Sequence, residues 1–120
     1  MQIIQPLHSA LLISNLDKSE HFYSTVLGLS KIDRELKFPG IWYQVGNFQI
    51  HLILTATLLP DAVDCDKLGR NRHLAFSVIN LESAKEQLIA HNCAVQMSAS
   101  GRSALFTQDP DGNIIELSEQ

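Results

Sequence analysis

The stretch LHSALLISNLDKSEHFYSTVLG, residues 7–28, has a counterpart in RHLAFSVINLESAKEQLIAHNC, residues 72–93. The two stretches align at a constant offset of 65 residues, as from His8 to His73. Each stretch has the pattern of a strand, then a capping asparagine, then an amphipathic helix. A repeat of this kind predicts that one structural module occurs twice in the chain.

Both predicted helices carry recognisable end signals. Asn15 and Asn80 are predicted N-caps, because an asparagine side chain there accepts a hydrogen bond from the first helical turn. Gly28 follows the first helix and Asn92 takes the same place after the second. These two residue types tolerate the left-handed conformation that commonly ends a helix.

Short strand-like runs separated by turn residues follow each helix. The first copy is predicted to hold strands at about 29–36, 40–46 and 48–55, and the second copy at about 93–98, 103–108 and 113–118. The predicted fold class is therefore α+β, with two βαβββ modules in a single domain that spans residues 1–120. The modules cover about 5–55 and 72–118, and the aperiodic residues 56–71 between them are predicted to be a linker loop.

Composition limits the classes of function. A net charge of −4 and a pI near 5.6 argue against a nucleic-acid-binding protein, which favours a basic face. No apolar run approaches the roughly 20 residues that a membrane span needs, and the N-terminus lacks a signal-peptide pattern. Cys65 and Cys93 are far apart in sequence and are predicted to be free thiols. We expect a cytoplasmic protein with no nucleic-acid or membrane partner.

Four polar residues stand out because the repeat relates them in pairs. His8 matches His73, and the same offset relates His51 in FQIHLIL to Glu116 in NIIELSE. Taken singly, a histidine or glutamate in a strand is more often a hydrogen-bonded or surface residue than a ligand. If the modules are related by pseudo-symmetry, however, the four side chains converge on one point. Three imidazoles and one carboxylate are a suitable donor set for a divalent transition metal.

The remaining histidines fall outside this pattern. His21 and His91 lie in the predicted helices and are interpreted as surface or helix-end residues. Trp42 and Tyr43 are adjacent in a predicted strand, so they must face opposite sides of a sheet, and one of them could line a pocket.

The chain resembles the vicinal oxygen chelate superfamily, which groups glyoxalase I, fosfomycin-resistance proteins, extradiol dioxygenases and bleomycin-resistance proteins. The resemblance is carried by residues 7–29 and 72–84 and by FTQDPDGNIIEL at residues 106–117. It implies paired βαβββ modules that form a curled mixed sheet around a metal. Ligands from the first and last strands of each module then fall on His8, His51, His73 and Glu116.

The resemblance also implies a metal-dependent enzyme that acts on a small molecule with two adjacent oxygens. The first hypothesis is a glyoxalase I-like lyase, which isomerises the hemithioacetal of a 2-oxoaldehyde and a thiol, with Glu116 and His51 as catalytic residues. The alternatives are an Fe(II) extradiol-type dioxygenase, a fosfomycin-type thiol transferase and a non-catalytic module that binds a small ligand. The metal is expected to be Zn, Ni, Mn or Fe.

The role of His51 stays open at this stage. The resemblance puts a glutamate at this position in small bacterial glyoxalase I, whereas fosfomycin-resistance proteins and dioxygenases use two histidines and one glutamate. The latter set fits His8, His73 and Glu116, and His51 is then either a fourth ligand or an acid/base beside the metal. Small members of this superfamily often form homodimers, so a homodimer is expected here as well.

Overall fold

The structure, a computed structural model, describes residues 1–58 and 64–120. The chain divides into two compact units, Met1–Leu58 and Leu59–Gln120. The first unit contains β1 (His8–Ile13), α1 (Leu16–Glu20), a π-helix (His21–Val26), β2 (Ser30–Lys31), β3 (Gly40–Val45) and β4 (Phe48–Leu54). The second contains a 3₁₀-helix (Leu68–Arg70), β5 (His73–Val78), α2 (Leu81–Ala90), β6 (Gln96–Met97), β7 (Ala104–Gln108) and β8 (Ile114–Glu119).

Each unit is built around one four-stranded mixed sheet. The strand order is β1-β4-β3-β2 in the first unit and β5-β8-β7-β6 in the second. The first and last strands of each unit run parallel to each other, and the other neighbours are antiparallel. Neither sheet closes on itself. The predicted α+β fold with two βαβββ modules is confirmed.

The helix ends follow the predicted chemistry. The Asn15 side chain accepts a hydrogen bond of 2.9 Å from the backbone N–H of Lys18. Asn80 accepts an equivalent bond of 2.9 Å from the N–H of Ser83. Beyond the helices, Gly28 has φ of +73° and Asn92 has φ of +59°. Both helices therefore begin and end at the residues that the repeat predicts.

The first helix differs from the regular amphipathic helix that the sequence predicts. It is α-helical only as far as Glu20 and continues as a π-helix. The N–H of Leu27 donates to the carbonyl of Phe22, five residues earlier, at 2.9 Å. A wider turn of this kind lets Phe22, Tyr23 and Val26 all be buried, although two of them are adjacent in sequence.

Two predicted strands are wrong in extent. The runs predicted at 29–36 and 93–98 each contain only two residues of strand, Ser30–Lys31 and Gln96–Met97. In the first unit the N–H of Ile32 still donates to the carbonyl of Trp42 at 2.8 Å. The chain then leaves the sheet, and the Arg34 guanidinium lies over the Trp42 ring.

The predicted linker contains more structure than its aperiodic sequence suggests. Residues 59–63 of this segment lie outside the described residues. Leu68–Arg70 forms a 3₁₀-helix, and Leu68 is buried in a cluster with Phe106 and Ile114. Neither Cys65 nor Cys93 forms a disulfide, as predicted. Over the described ranges, no helix has the length and apolar character required to traverse a bilayer.

The first unit has a core face and a polar face. Tyr43 is fully buried, its hydroxyl lies 2.8 Å from the Ser24 hydroxyl, and its ring centroid lies 5.9 Å from that of Tyr23. The helix therefore packs on the face of the sheet that carries Tyr43. Because side chains alternate along a strand, Trp42 projects from the opposite face. The polar candidates of this unit lie on that second face.

Candidate functional site

The first unit stacks three rings and one guanidinium on its polar face. The sheet register pairs Trp42 with His51 across β3 and β4. The two rings lie 3.6 Å apart between centroids and are tilted by only 4°. His8 covers the other side of His51 at 4.1 Å and 16°, and Arg34 covers the outer side of Trp42 at 4.0 Å. His51 is thus held between an indole and a second imidazole.

The stacking determines whether His8 and His51 can bind the same ion in their present orientations. The lone pair of an imidazole nitrogen lies in the plane of its ring. Two stacked planes that differ by 16° intersect only far from both rings, so the lone pairs of His8 and His51 do not converge on a nearby point. His8 is exposed, whereas His51 is buried. If the two bind one ion, His8 is the ring that must turn.

The environment of His51 favours its neutral form. Burial lowers the pKa of His51 below the ordinary value of 6.5, because a charged ring loses its hydration there. The neighbouring His8 and Arg34 act in the same direction through charge repulsion. A neutral imidazole is the form that can bind a metal or accept a proton.

A chain of side-chain amides leads away from His51 along the same face. The Nε2 of His51 lies 2.9 Å from the Oε1 of Gln49. The Gln49 amide donates to the Oε1 of Gln44 at 3.0 Å. The Gln44 amide in turn donates to the carbonyls of Gly46 and Phe48, at 2.7 and 3.3 Å. These bonds connect His51 to the turn between β3 and β4.

The second unit brings His73 and Glu116 together. The register pairs Ala75 with Glu116, and His73 lies two residues earlier on the same face of β5. The Nε2 of His73 lies 3.4 Å from the Oε1 of Glu116. The Nδ1 of the same ring lies 2.7 Å from the carbonyl oxygen of Asn71.

The Asn71 carbonyl determines which nitrogen of His73 is available. A carbonyl can only accept, so Nδ1 carries a proton and donates it. In the neutral ring, the lone pair on Nε2 then faces a carboxylate oxygen. Two acceptors at this separation repel each other unless a proton or a metal cation lies between them. A metal-bound histidine commonly has this arrangement, with its other nitrogen donating to a carbonyl.

Three further contacts hold Glu116 and His73 in place. The Ser118 hydroxyl donates to the Oε2 of Glu116 at 3.1 Å, and an Arg102 nitrogen lies 3.7 Å from its Oε1. Phe106 pairs with Glu116 in the sheet, and its ring meets the His73 ring edge-on at 5.5 Å. Glu116 is 8% exposed, so its carboxylate is positioned chiefly by the protein.

The predicted site residues therefore occur as two pairs, His8 with His51 and His73 with Glu116. Each pair provides two donors of the type that transition metals prefer. Within either unit, no further His, Cys, Asp or Glu among the described residues joins its pair in a metal-sized cluster. His91 lies at the end of α2, where its Nδ1 lies 3.0 Å from the Gln87 carbonyl, in agreement with the prediction of a helix-end residue.

Some residues of the site were not predicted to act there. Gln44, Asn71, Arg102 and Ser118 had no assigned role. The contacts of Gln44 and Arg102 join separate segments and depend on register, which the sequence alone does not provide. Ser118 lies two residues after Glu116 in β8, so strand alternation could have placed it beside the carboxylate. Gln49 lies two residues before His51 in β4, so strand alternation alone places it on the same face. The prediction that Trp42 and Tyr43 face opposite sides is correct, and Trp42 is the one beside His51.

Comparison with known proteins adds the following similarities. A probable lactoylglutathione lyase from Vibrio cholerae serotype O1 is 26% identical over 120 residues, covering 92% of this chain and 87% of that protein. A candidate glyoxalase family protein from Bacillus anthracis superposes with a TM-score of 0.82 at 23% identity, covering 100% and 98% of the two chains. A fosfomycin resistance protein from Listeria monocytogenes superposes with a TM-score of 0.77 at 15% identity, covering 99% and 95%.

The two structures show that the fold is shared, and identities of 23% and 15% carry no further conclusion. The family model for the Glyoxalase/Bleomycin resistance protein/Dioxygenase superfamily matches residues 5–117, nearly the whole chain. The match includes His8, His51, His73 and Glu116. The chain belongs to the Glyoxalase/Bleomycin resistance protein/Dioxygenase superfamily.

Proposed function

We propose that this protein is a cytoplasmic, divalent-metal-dependent enzyme with a glyoxalase I-like lyase activity on a small molecule. The substrate class is the hemithioacetal of a 2-oxoaldehyde and a thiol. Membership of the superfamily and the similarity to a protein named as a probable lactoylglutathione lyase support this proposal. The pairing of His73 with Glu116 is the structural observation that supports it most directly.

That pair is suited to a divalent cation for two reasons. The Asn71 carbonyl keeps the proton of a neutral His73 on Nδ1, so its Nε2 lone pair and the Glu116 carboxylate oxygen face each other at 3.4 Å. A cation between them would turn a repulsive contact into two favourable ones. We propose that His8 joins this pair as a third ligand, and the prediction that His51 is a fourth ligand is retained.

A bound divalent ion would supply Lewis acidity to the two adjacent oxygens of the substrate. In the proposed reaction, Glu116 takes the proton from the carbon that bears the hydroxyl and the sulfur. Glu116 then returns this proton to the neighbouring carbon, while the hydroxyl proton moves to the neighbouring oxygen. The product carries a thioester at the first carbon and a hydroxyl at the second, with no net change in electrons.

The surroundings of Glu116 and His51 suit these roles. Ser118 holds one carboxylate oxygen of Glu116 at 3.1 Å, so the carboxylate has a fixed direction. His51 is neutral near pH 7 because burial lowers its pKa, so its one lone pair is available. This lone pair serves either to bind the metal as the fourth ligand or, if His51 stays outside the ligand set, to accept and return the hydroxyl proton. Removal of an acid/base group of this kind typically reduces turnover by about 10²- to 10⁴-fold.

The stacking of His51 supports a second candidate function. If His51 stays between Trp42 and His8, the ligands are two histidines and one glutamate, the set that non-haem Fe(II) oxygenases use. The second candidate is therefore an Fe(II) dioxygenase. We favour the lyase because the curated relative is named as a lyase and covers most of this chain.

The metal proposal predicts a stoichiometric ion. Purified protein prepared without chelators is expected to contain about one transition-metal ion per chain, measured by elemental analysis. His73→Ala and Glu116→Ala should each abolish this content because each removes one side of the facing pair. His91→Ala, at the end of α2, is the matched control and should retain the metal. Protein that neither contains nor takes up Zn, Ni, Mn or Fe would disprove the proposal.

The reaction is tested by a comparison of two assays. Protein loaded with Ni or Zn is expected to isomerise the adduct of methylglyoxal and glutathione, and Glu116→Gln should reduce turnover by about 10²-fold or more. Protein loaded with Fe(II) is assayed for oxygen uptake with catechols. Activity in the second assay alone would replace the lyase by the dioxygenase, and inactivity in both would reject both candidates.

A further inference from the structure

The amide groups beside His51 have a defined direction. The Gln44 side-chain nitrogen lies within hydrogen-bond distance of two backbone carbonyls, those of Gly46 and Phe48. Backbone carbonyls only accept hydrogen bonds, so the NH₂ group of Gln44 must face them. The opposite orientation would place three oxygens against one another. The Oε1 of Gln44 therefore faces away from the turn, towards Gln49.

The orientation of the Gln44 amide determines the orientation of the Gln49 amide. Its NH₂ group donates to the Oε1 of Gln44 at 3.0 Å, so its own Oε1 points to the other side. That oxygen lies 2.9 Å from the Nε2 of His51. An amide oxygen can only accept, so Nε2 of His51 must carry the proton. In the neutral ring, Nδ1 is then the only nitrogen with a lone pair.

The second unit has the same strand pairing, but its described residues form no such chain. Gln108 occupies the place of Gln44, and its register partner is Ile114, where the first unit has Gln49. Its amide donates to the Gly112 carbonyl, at 3.4 Å. The ring of His73 is instead directed by the Asn71 carbonyl, which holds a proton on Nδ1. In the neutral rings, the lone pair is therefore on Nδ1 of His51 in the first unit and on Nε2 of His73 in the second.

We propose that Gln44 and Gln49 form an amide relay that keeps the His51 proton on Nε2, so that His51 presents Nδ1 to the metal or substrate while His73 presents Nε2. Gln44 and Gln49 are positioning residues, since they act on the reaction only through His51. The inference rests on the proposed function for its chemical purpose. The position of the proton, however, is a property of the metal-free protein and can be measured without activity.

Nitrogen NMR of protein labelled with ¹⁵N-histidine tests the proposal. The chain contains five histidines, and the His51 signals are identified by their absence in His51→Asn. In both metal-free and Zn²⁺-saturated protein, we expect a protonated Nε2 and an unprotonated Nδ1 for His51. For His73 in metal-free protein we expect the reverse pattern.

Variants test whether Gln44 and Gln49 hold the Nε2 proton of His51. Gln49→Leu and Gln44→Leu should make the Nε2 proton of His51 exchange with water roughly tenfold faster, as expected for the loss of one hydrogen bond. Gln49→Glu retains an accepting oxygen and should preserve the slow exchange. Gln108→Leu, the equivalent of Gln44 in the second unit, is the matched control and should leave His51 unchanged.

Several outcomes would overturn the relay. These are a proton on Nδ1 of His51, unchanged exchange in Gln49→Leu, or loss of the His51 Nε2 proton when Zn²⁺ saturates the protein. Zinc content is measured on the same samples. Protein that binds none of Zn²⁺, Ni²⁺, Mn²⁺ and Fe²⁺ would reject the proposed function, and the metal-free spectra would still decide the relay.

Discussion

His51 makes three contacts that together fix its ring. Trp42 and His8 fix the plane of its ring, and Gln49 fixes the rotation of the ring within that plane. Burial keeps it neutral near pH 7. A side chain held in this way is prepared for either metal binding or proton transfer, because little reorganisation is needed when the substrate arrives.

The lowered pKa of His51 predicts how stability depends on pH. In the folded protein the pKa lies below the ordinary value of 6.5, so the unfolded chain binds its proton at a higher pH than the folded chain does. The corresponding stabilisation is complete above the unfolded pKa and is lost as pH falls through the folded pKa. Denaturant unfolding of metal-free protein should therefore show a free energy of unfolding that decreases below about pH 6.5.

Variants separate His51 from the other titrating groups. His51→Gln cannot take up this proton, so its free energy of unfolding should decline less steeply over the same pH range. His21→Gln removes an exposed histidine and should keep the wild-type slope. Equal slopes in wild type and His51→Gln would contradict the assignment of the stabilisation to His51.

At the scale of elements, the 3₁₀-helix at Leu68–Arg70 supports the second donor pair. Gly69 lies against the Phe106 ring so closely that a Cβ atom there would be 2.5 Å from the ring. Phe106 is buried, and its ring also meets the His73 ring edge-on. The Phe106 ring therefore packs against the short helix and also against the His73 ring. It can approach the helix this closely because residue 69 has no side chain.

Gly69→Ala is expected to disturb both stability and the metal site. The added methyl group must displace the Phe106 ring, and overpacking of this kind typically costs about 1–3 kcal/mol. Displacement of the ring should also weaken metal binding through His73. Denaturant unfolding and metal titration measure the two effects.

Arg70→Ala changes an exposed neighbour in the same helix and serves as the control. It should affect neither quantity. A Gly69→Ala variant with unchanged stability and metal affinity would show that the helix does not support the site.

The repeat made the two sheets predictable but not their detailed alignment. The offset of 65 residues holds from β1 to β5 and from β4 to β8, as His8 and Glu116 illustrate. It does not hold for the third strand of each unit, where the register equates Trp42 with Phe106 and Gln44 with Gln108. The pair Phe106 and Glu116 is separated by ten positions along the chain, whereas the equivalent pair Trp42 and His51 is separated by nine, so the connection before β8 holds one extra residue. A length difference in a turn leaves no signature in hydrophobic periodicity, so the relay could not be predicted.

Two other local features could not be predicted from the sequence, because they depend on packing. The π-turn after Glu20 and the 3₁₀-helix at Leu68–Arg70 depend on what the rest of the unit offers for packing, which local sequence patterns do not encode. The caps at Asn15 and Asn80 depend only on neighbouring residues, and they were predicted correctly. Whether the four donors meet at one ion stays a prediction.

For the molecule as a whole, we expect a homodimer. Near the N-terminus, Ile3, Ile4 and Leu7 are 83%, 89% and 66% exposed, and a run of exposed apolar side chains often marks an interface. Light scattering at micromolar concentration should give the mass of two chains, and the interface is predicted to leave out residues 56–71.

A charge in the apolar run should weaken association. Ile4→Asp is expected to shift the protein towards the monomer, because a carboxylate is costly to bury without a partner. Ile89→Asp, at an exposed position on α2, is the matched control and should remain dimeric. A wild-type monomer under these conditions would rule out the dimer.

The two units use one scaffold for different polar chemistry. The first places an indole, two imidazoles and an amide chain on its polar face, whereas the second places an imidazole, a carboxylate, a hydroxyl and a phenyl ring on the equivalent face. The cores behind these faces follow the same strand order. The fold therefore constrains the buried face and leaves the other face free to diverge.

Trp42 is the only tryptophan in the chain, and it lies face to face with His51 at 3.6 Å. The intrinsic fluorescence of the whole protein is therefore dominated by an indole that is in direct contact with the residue proposed to carry out its chemistry. Protonation of His51, its movement on ion binding and the separation of β3 from β4 would each change the surroundings of that one fluorophore. Trp42 fluorescence can therefore be used to follow changes around His51 without a dye or an engineered label.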